Sequence, residues 1–434
     1  MKIDLKYNNR YLIFIFLVFW FFTVIGSSLY LGSTMLSIRN LLFPFLFFII
    51  YILKDYKLNK SQSVFFIPLV ALFIYGSVTL FFYGISDIEI IKDYYYFIYI
   101  PVLYYCILLL SNKFNDDFFT IIKWFGHFLI YFLFAFTLFE FISDIHLPVH
   151  APNRFHIPSA FFTNANDLSV IMIQLFMLIS VLKKKTDSQW LYTVAFLLTT
   201  FIVFVTLSRL ALVAFIVISI FIFLSNSFRW KDLIINSLVI ISTLVYLSTG
   251  LPTSKSSTTT VDRSKTRIFS MIHPGFGESE SDENSDLAKS NLNLEGDTVV
   301  SSTKVRLDIY KIPFNNPKEF VFGYGFNSDK TIIQKFKTLP YKIVNSHSYF
   351  IQLIFYFGWI GFSFMVFFFG SLTVYAFLNF RQLSFFLAVL FVQVLLLNIP
   401  SSVMRFPLVW IPFFIAIAYY IYIRKKTDQS ELEA

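Results

Sequence analysis

Apolar residues in this chain arrive in runs of about twenty, and no other feature restricts the fold as strongly. A helix rising 1.5 Å per residue needs about that many residues to cross a hydrocarbon core of about 30 Å. Reading the runs and their breaks gives about twelve candidate spans: 11–31, 36–53, 64–84, 94–111, 121–142, 159–182, 191–207, 210–225, 233–250, 349–380, 383–399 and 406–423. With 57% hydrophobic and 14% charged residues, no stretch is left for a soluble domain of ordinary size. The expected fold is therefore all-α and polytopic, one integral membrane domain over residues 1–434.

A formal charge of +9 would point to nucleic acid in a soluble protein. Here the basic residues fall in short loops between runs, where they act as topology signals. With the N-terminus inside, the cytoplasmic segments carry Lys2, Lys6, Arg10, Lys54, Lys57, Lys60, Lys113, Lys123, Lys183, Lys184, Lys185, Arg229, Lys231, Arg381, Arg424, Lys425 and Lys426. The short outer segments carry only Arg39, Lys92, Arg154, Arg209 and Arg405. An even number of spans with both termini cytoplasmic follows. The first run is long for a signal-peptide core and lacks a small-x-small cleavage site, so it reads as a retained helix. Cys106 is the only cysteine, which excludes a disulfide or a cysteine-based metal site within the chain.

Between the ninth and tenth spans lies a polar extracytoplasmic loop, residues 251–346. It begins with a low-complexity stretch, Thr253 to Thr260, and its middle, Glu278 to Asp297, is rich in Ser, Asn, Asp and Glu and poor in aromatics, so residues 253–297 are expected to be mobile. Order should resume near Val299 and lead through Arg306, Tyr310 and Ile312 to Val321-Phe-Gly-Tyr-Gly-Phe326. Its glycines, Gly323 and Gly325, point to a turn close to the membrane surface. The chain has no internal repeat of the kind that marks inverted-repeat transporters.

Four places break the apolar pattern on the outer side, and ionisable groups at membrane depth are costly enough to draw attention. The stretch Leu191 to Ser225 would measure about 52 Å as one helix, too long for one crossing, so the chain should turn back near Ser208. That turn draws Arg209 toward the outer interface, where a guanidinium can grip a phosphate bidentately. Its plainer role is snorkelling to lipid head groups. Asn164, Asn166 and Asp167 could bond sugar hydroxyls or an arginine, but Asn and Asp also cap helices, and capping is at least as good a reading. His146, His150 and His156 crowd a short loop without the fixed spacing of a metal site, and no metal is expected. In Asn345-Ser-His-Ser-Tyr-Phe350, His347 sits at the membrane boundary and could accept a proton from an attacking hydroxyl, or simply end a loop. Arg306 and Arg405, each taken alone, read as solvated or snorkelling charges.

Together these pieces resemble the O-antigen polymerase and O-antigen ligase superfamily of bacterial envelope glycosyltransferases. The resemblance rests on Phe161-Phe-Thr-Asn-Ala-Asn-Asp-Leu168, on Thr206-Leu-Ser-Arg-Leu-Ala-Leu212, on Arg306 followed by Gly323-Tyr-Gly-Phe, and on His347-Ser-Tyr-Phe-Ile-Gln352 running to Gly358 and Gly361. It covers roughly Ile157 to Gly361. It departs at Ser348, where ligases usually carry Asn after the His. The resemblance implies attack by an acceptor sugar hydroxyl on the anomeric carbon of a glycan held on undecaprenyl pyrophosphate, with inversion and with no metal or other cofactor. It assigns His347, Arg209 and Arg306 to catalysis. Arg405, Asn164, Asn166, Asp167, Ser208, Gly323 and Gly325 would then border the substrate.

Within that superfamily a polymerase adds to another lipid-linked oligosaccharide, whereas a ligase adds to a lipid A core or a protein. Ser348 and the lack of a further domain favour the polymerase. A lipid-linked oligosaccharide flippase would have a similar number of spans, but it should line both halves with charge, and the first 150 residues offer few ionisable groups at membrane depth. The expected setting is the cytoplasmic (inner) membrane of a bacterium. The expected partners are undecaprenyl-pyrophosphate-linked oligosaccharides, membrane lipid, a chain-length regulator and a flippase, with no nucleic acid.

Overall fold

The computed structural model describes residues 10–25, 30–31, 36–37, 41–84, 87–143, 145, 159–162, 164–184, 186–206, 208–224, 302–336, 348–378, 380–399 and 406–433. In chain order the elements are α1 (Arg10–Ile25), the strand pair β1 (Tyr30–Leu31) and β2 (Leu36–Ser37), α2 (Pro44–Ile52), α3 (Lys60–Tyr83), α4 (Ile88–Phe114), α5 (Asp116–Ser143) and α6 (Ala165–Val181). There follow α7 (Gln189–Thr206), α8 (Arg209–Leu224), α9 (Ser302–Asn315), α10 (Asp329–Phe336), α11 (Tyr349–Leu378), α12 (Phe380–Leu396) and α13 (Ile411–Glu433).

Five of these, α3, α4, α5, α7 and α11, are long and apolar enough to cross a membrane. Shorter apolar helices stand among them: α1, α6, and the Leu210–Ile222 and Phe385–Leu396 portions of α8 and α12. The chain is a multi-pass helical membrane protein. Two expected spans take a different form. The run 36–53 becomes β2 and the nine-residue α2, which at about 14 Å is too short to cross alone. The run 349–380 is one helical stretch broken at Gly358. The ninth expected span, 233–250, and the loop stretches 251–301 and 337–346 lie outside the described residues.

Capping residues carry several helices beyond their apolar runs. The Asn59 side chain accepts from the Gln62 amide at 2.8 Å while Gln62 Oε1 accepts from the Asn59 amide at 2.9 Å, so α3 starts at Lys60 rather than at the apolar run. Asp87 accepts from the Glu89 amide at 3.2 Å and starts α4 early enough to take Asp93 into the bundle. Six hydroxyls inside the helices are satisfied locally. Thr23, Thr137, Ser180, Thr199, Thr200 and Ser219 each bond the carbonyl four residues back, as an environment without water requires.

Helix α6 is the centre of the bundle. Every side chain from Asp167 to Val181 is buried, with α5, α7, α8 and α13 packed around it. A helix apolar on all sides belongs in such a position.

One end of the bundle gathers the basic segments that the charge pattern groups together. Arg10 pairs with Asp117 at 2.7 Å, Lys426 with Asp116 at 3.2 Å and Lys184 with Asp116 at 3.8 Å, which joins the start of α1, the start of α5, the α6–α7 connection and the tail of α13. Asn112 exchanges hydrogen bonds with Gln62 at 2.7 and 2.9 Å, adding the α2–α3 connection to the same end.

The anchor of this end is Lys123, whose ammonium meets both carboxylate oxygens of Asp187 at 2.7 Å. Asp187 also accepts from the Lys184 amide and the Tyr192 hydroxyl, both at 2.8 Å. Burial pushes the Asp187 carboxyl up, but the bonds from Lys123, Lys184 and Tyr192 outweigh it, and the group titrates below its ordinary 3.8. A carboxyl depressed in the folded state contributes stability above its unfolded value and loses it as pH falls through the native one. Melting temperature should therefore fall in the acid range below about pH 4. Asp187→Asn, which strands a lysine that is 4% exposed, should cost about 3 kcal/mol at neutral pH and flatten that acid response. Thermal melts of the detergent-solubilised protein across pH check both.

Candidate active site

At the opposite end, the break in α11 dictates the local architecture. Gly358 adopts φ +65°, ψ −167°, which a side-chain-bearing residue rarely takes. The break removes the intrahelical bonds that Trp359 and Ile360 would donate to Phe355 and Tyr356, leaving four backbone groups without helical partners. The segment 320–325 supplies them. Trp359 donates to the Phe320 carbonyl at 2.9 Å and Ile360 to Val321 at 3.4 Å, while Phe355 accepts from Tyr324 at 2.8 Å and Tyr356 from Gly325 at 2.9 Å.

The backbones can approach this closely because Gly323, at φ +77°, has no side chain. A Cβ there would lie 2.5 Å from the Gly358 nitrogen. From α3, the Tyr83 hydroxyl donates to the Gly323 carbonyl at 2.8 Å. The sequence motif around Gly323 and Gly325 is thus a plug in a broken membrane helix, more than the surface turn its glycines announce. Outside the plug, Lys335 and Tyr324 bond Glu319 at 3.0 Å each and hold its carboxyl below the ordinary value.

The first piece of α11, Tyr349 to Phe357, is buried along its whole length except for Phe350. Its polar side chains form a relay across the bundle. Asp329, at the start of α10, accepts from Gln352 Nε2 at 3.2 Å, Gln352 also donates to the Tyr356 hydroxyl at 3.2 Å, and that hydroxyl donates to Asp93 of α4 at 3.0 Å. All four residues are buried. Tyr356→Phe should cost about 1–2 kcal/mol, because it leaves a buried carboxylate short of a donor while keeping the ring. A thermal melt reads the loss.

Further contacts bring other motifs to the same end. Ser348 Oγ donates to Asn398 Oδ1 at 2.5 Å and the Tyr349 amide to the Leu397 carbonyl at 3.0 Å, which fixes the start of α11 to the end of α12. The Tyr349 ring meets Trp410 edge-on at 5.3 Å, and Phe406 meets Phe162 at 6.0 Å. Below them Gln174 of α6 donates to Gln393 Oε1 at 2.8 Å and to the Val409 carbonyl at 2.6 Å, and Gln393 donates to the same carbonyl at 3.1 Å. The segment ahead of α13 is thereby pinned between α6 and α12. On the α5–α6 connection, Glu140 accepts from the Ser159 and Ala160 amides at 2.9 and 2.8 Å, holding Ala160 at φ +49°.

The turn expected near Ser208 is present. Helix α7 ends at Thr206, α8 begins at Arg209, and the Leu212 amide bonds the Ser208 carbonyl at 2.9 Å. Residues 194–366 match the O-antigen ligase family. The match is consistent with the O-antigen polymerase and ligase superfamily. No curated protein matches the chain. The ligase-family stretch takes in most of α7, the Ser208 turn, α9, the glycine plug and both pieces of α11 as far as eight residues past Gly358. The described machinery at this end is therefore largely the family's own segment, completed by α3, α4, α6 and α12 from outside it.

Within this arrangement the sequence-derived candidates fall out unevenly. Asn164 caps α6, its side chain accepting from the Asn166 amide at 2.9 Å, which is the plainer of its two readings. Asn166 is half-buried and Asp167 buried on the first turn of α6. Ser208 is buried, and Arg209 is the first residue of α8. Arg306 lies half-buried on α9, one turn from Tyr310, whose phenol burial lifts above its ordinary value against the pull of the Arg306 charge. The contact of Phe314 with Trp359 at 5.3 Å seats the far end of α9 against the break, which leaves Arg306 about 12 Å back along the helix. His347 and Arg405 lie outside the described residues, as do His146, His150, Arg154 and His156. Their described neighbours lie in two ring pairs, Tyr349 against Trp410 after Ser348 and Phe406 against Phe162.

Sequence reasoning missed Asp93 and Glu140 as members of this end, and it quoted Gln352 and Tyr356 only as part of the motif after His347, without the bonds they make. A carboxylate at the edge of an apolar run for Asp93, and inside one for Glu140, was the available signal for the first two, which are among the few such groups that the first 150 residues offer.

Proposed function

We propose that this chain polymerises undecaprenyl-pyrophosphate-linked oligosaccharide repeat units of a surface polysaccharide on the outer face of a bacterial cytoplasmic membrane. The reading is carried by one observation: the ligase-family match spans the Ser208–Arg209 turn and the glycine-plugged helix, the elements that the family motifs single out. In this reading the reaction is an inverting glycosyl transfer, independent of metal as the family resemblance implies. An acceptor hydroxyl forms the new bond to the anomeric carbon, the bond to the pyrophosphate oxygen breaks, and the hydroxyl proton leaves to a base.

A departing pyrophosphate needs positive charge where negative charge develops. Arg209 and Arg306 supply it, with Arg405 as a third contact. His347 orients or deprotonates the acceptor hydroxyl. Asn166, Asp167 and the Asn164-capped turn border the glycan. The relay from Asp329 to Asp93 fixes the helix piece Tyr349–Phe357, which comes two residues after His347 in the sequence. The basic end of the bundle faces the cytoplasm. Ligation to a lipid or protein acceptor is the second reading, favoured by the family's description and disfavoured by Ser348.

Deleting the gene and profiling lipid-linked and surface glycans by gel and mass spectrometry tests this. The polymerase reading expects polymer to vanish while single repeat units still reach the surface. Long polymer stranded on its carrier means a ligase, and repeat units trapped on the cytoplasmic side mean a flippase.

A further inference from the structure

The glycine plug brings part of a polar loop down to membrane depth. Tyr83, the last residue of α3, donates to the Gly323 carbonyl at 2.8 Å, and Tyr75, about two turns earlier, donates to the Phe322 carbonyl at 3.4 Å. The plug therefore runs beside the final turns of α3, inboard of its end. Those turns present Ile74, Val78, Phe81 and Phe82 outward, with Phe81 85% exposed, as a helix facing lipid does. Val321 and Phe322 of the plug, 37% and 62% exposed, sit at the level of these residues.

Helix α9 leads into the plug from the same level. The Phe314 ring meets Trp359 at 5.3 Å, and the Trp359 amide bonds the Phe320 carbonyl at 2.9 Å. Behind Phe314 the helix has two faces. Ile309 and Ile312 are buried, whereas Leu307, Lys311 and Phe314 are exposed at the three- and four-residue spacing of one face, and Lys318 beyond the helix is exposed as well. Leu307 is 51% and Phe314 62% exposed. With Val321 and Phe322 they make an apolar patch of the kind that marks contact with a membrane or another protein.

Two observations choose the membrane. The patch is continuous with the lipid-facing end of α3, to which Tyr75 and Tyr83 tie it. The charges on the exposed face are lysines, whose stems can lie along apolar surface while the ammonium reaches a phosphate, the pattern of a helix lying in the interface. Lys311 stands 3.9 Å from Asp308, the outer limit of an ion pair, which leaves it able to meet a headgroup. The nearby carboxylate of Glu319 is already held by Lys335 and Tyr324. We propose that α9 lies in the plane of the membrane interface, with Leu307, Phe314, Val321 and Phe322 seated among the acyl chains of the leaflet at the plug end and Lys311 and Lys318 at its phosphates. A helix so anchored keeps Arg306, one residue before Leu307, at headgroup level.

Full-length protein in lipid nanodiscs tests this. Cys106 is buried, so a cysteine introduced at the surface takes a spin label selectively. Labels at Leu307→Cys, Phe314→Cys and Phe322→Cys are read by their collisions with oxygen, which concentrates in lipid, and with a nickel chelate, which stays in water. Phe81→Cys on α3 and Gln429→Cys on the exposed tail of α13 mark the lipid and water extremes. All three labels are expected to favour oxygen as Phe81→Cys does, at about 5–10 Å below the phosphates. A label at any of the three that favours nickel overturns the proposal, and rare collisions with both reagents overturn it in favour of a protein partner. The unsubstituted chain gives a second reading. A lipid carrying a photoreactive diazirine on its acyl chain should modify residues 307–322 as well as 78–83, and adducts confined to 78–83 would refute the seating of α9.

Discussion

Arg209→Ala is expected to leave the chain at wild-type abundance in the membrane and to cut polymer formation about a hundredfold or more. The residue opens α8 immediately after a turn forced by length, since one helix through Leu191–Ser225 would overrun the membrane. A cation stabilising a pyrophosphate as it departs acts mainly in the transition state, so its loss should lower turnover more than it weakens substrate binding. Arg209→Lys should restore only part of the activity, because an ammonium cannot present the planar two-pronged donor pair of a guanidinium. Gel profiles of surface polymer, normalised to protein by immunoblot, measure both variants.

Gly358→Ala should be the most damaging single change to the fold of this end. A Cβ at Gly358 would sit 2.3 Å from the Val321 carbonyl oxygen and 2.5 Å from the Gly323 nitrogen, and the position also carries a positive φ. The helix can escape only by straightening or by expelling the plug. Either route removes the four backbone bonds that join 320–325 to 355–360 and leaves polar backbone groups in a region with no water to receive them. A loss of about 4 kcal/mol or more follows from the strain and the unpaired groups together. Gly323→Ala meets the same obstacle from the other side. Limited proteolysis in the 320–325 segment, protected in the wild type and cut in these variants, reads plug release directly, and polymer synthesis should stop in both.

Much of this architecture is written in local sequence. Run length marks α3, α4, α5 and α7, and it places the Ser208 turn, because the thickness of a membrane allows one answer. The grouping of Arg10, Lys123, Lys184 and Lys426 at one end follows from the distribution of basic residues alone. What local sequence does not carry is pairing between distant segments. The two glycines of 323 and 325 announce a turn, but the partner that requires them, Gly358, stands over thirty positions away, and although the family resemblance picks it out, nothing local shows that the two segments meet. The run 36–53 misleads for a related reason. Hydropathy counts apolar residues without showing that Leu36 and Ser37 pair with Leu31 and Tyr30. At the site, Asn164 could be read as a cap from spacing, whereas the bridge from Asp93 through Tyr356 to Gln352 spans 263 positions between its first two members and has no local signature.

The relay also explains why an apolar bundle keeps two of its buried carboxylates, Asp93 and Asp329. Asp93 and Asp329 sit at its two ends, and the side chains of Gln352 and Tyr356 between them belong to the helix piece that follows His347. Buried polar networks are costly unless each member is engaged, and once engaged they fix one arrangement.

The most direct test is reconstitution. Purified protein in lipid nanodiscs is given the undecaprenyl-pyrophosphate-linked repeat unit as donor and acceptor, and products are resolved by gel and mass spectrometry. A ladder of lipid-linked oligomers growing by whole repeat units, with release of undecaprenyl pyrophosphate and with no ladder from the Arg209→Ala protein, is the predicted result. Intact, active wild-type preparations that leave the repeat unit unpolymerised, or that transfer it only when a lipid A core or protein acceptor is added, would contradict it.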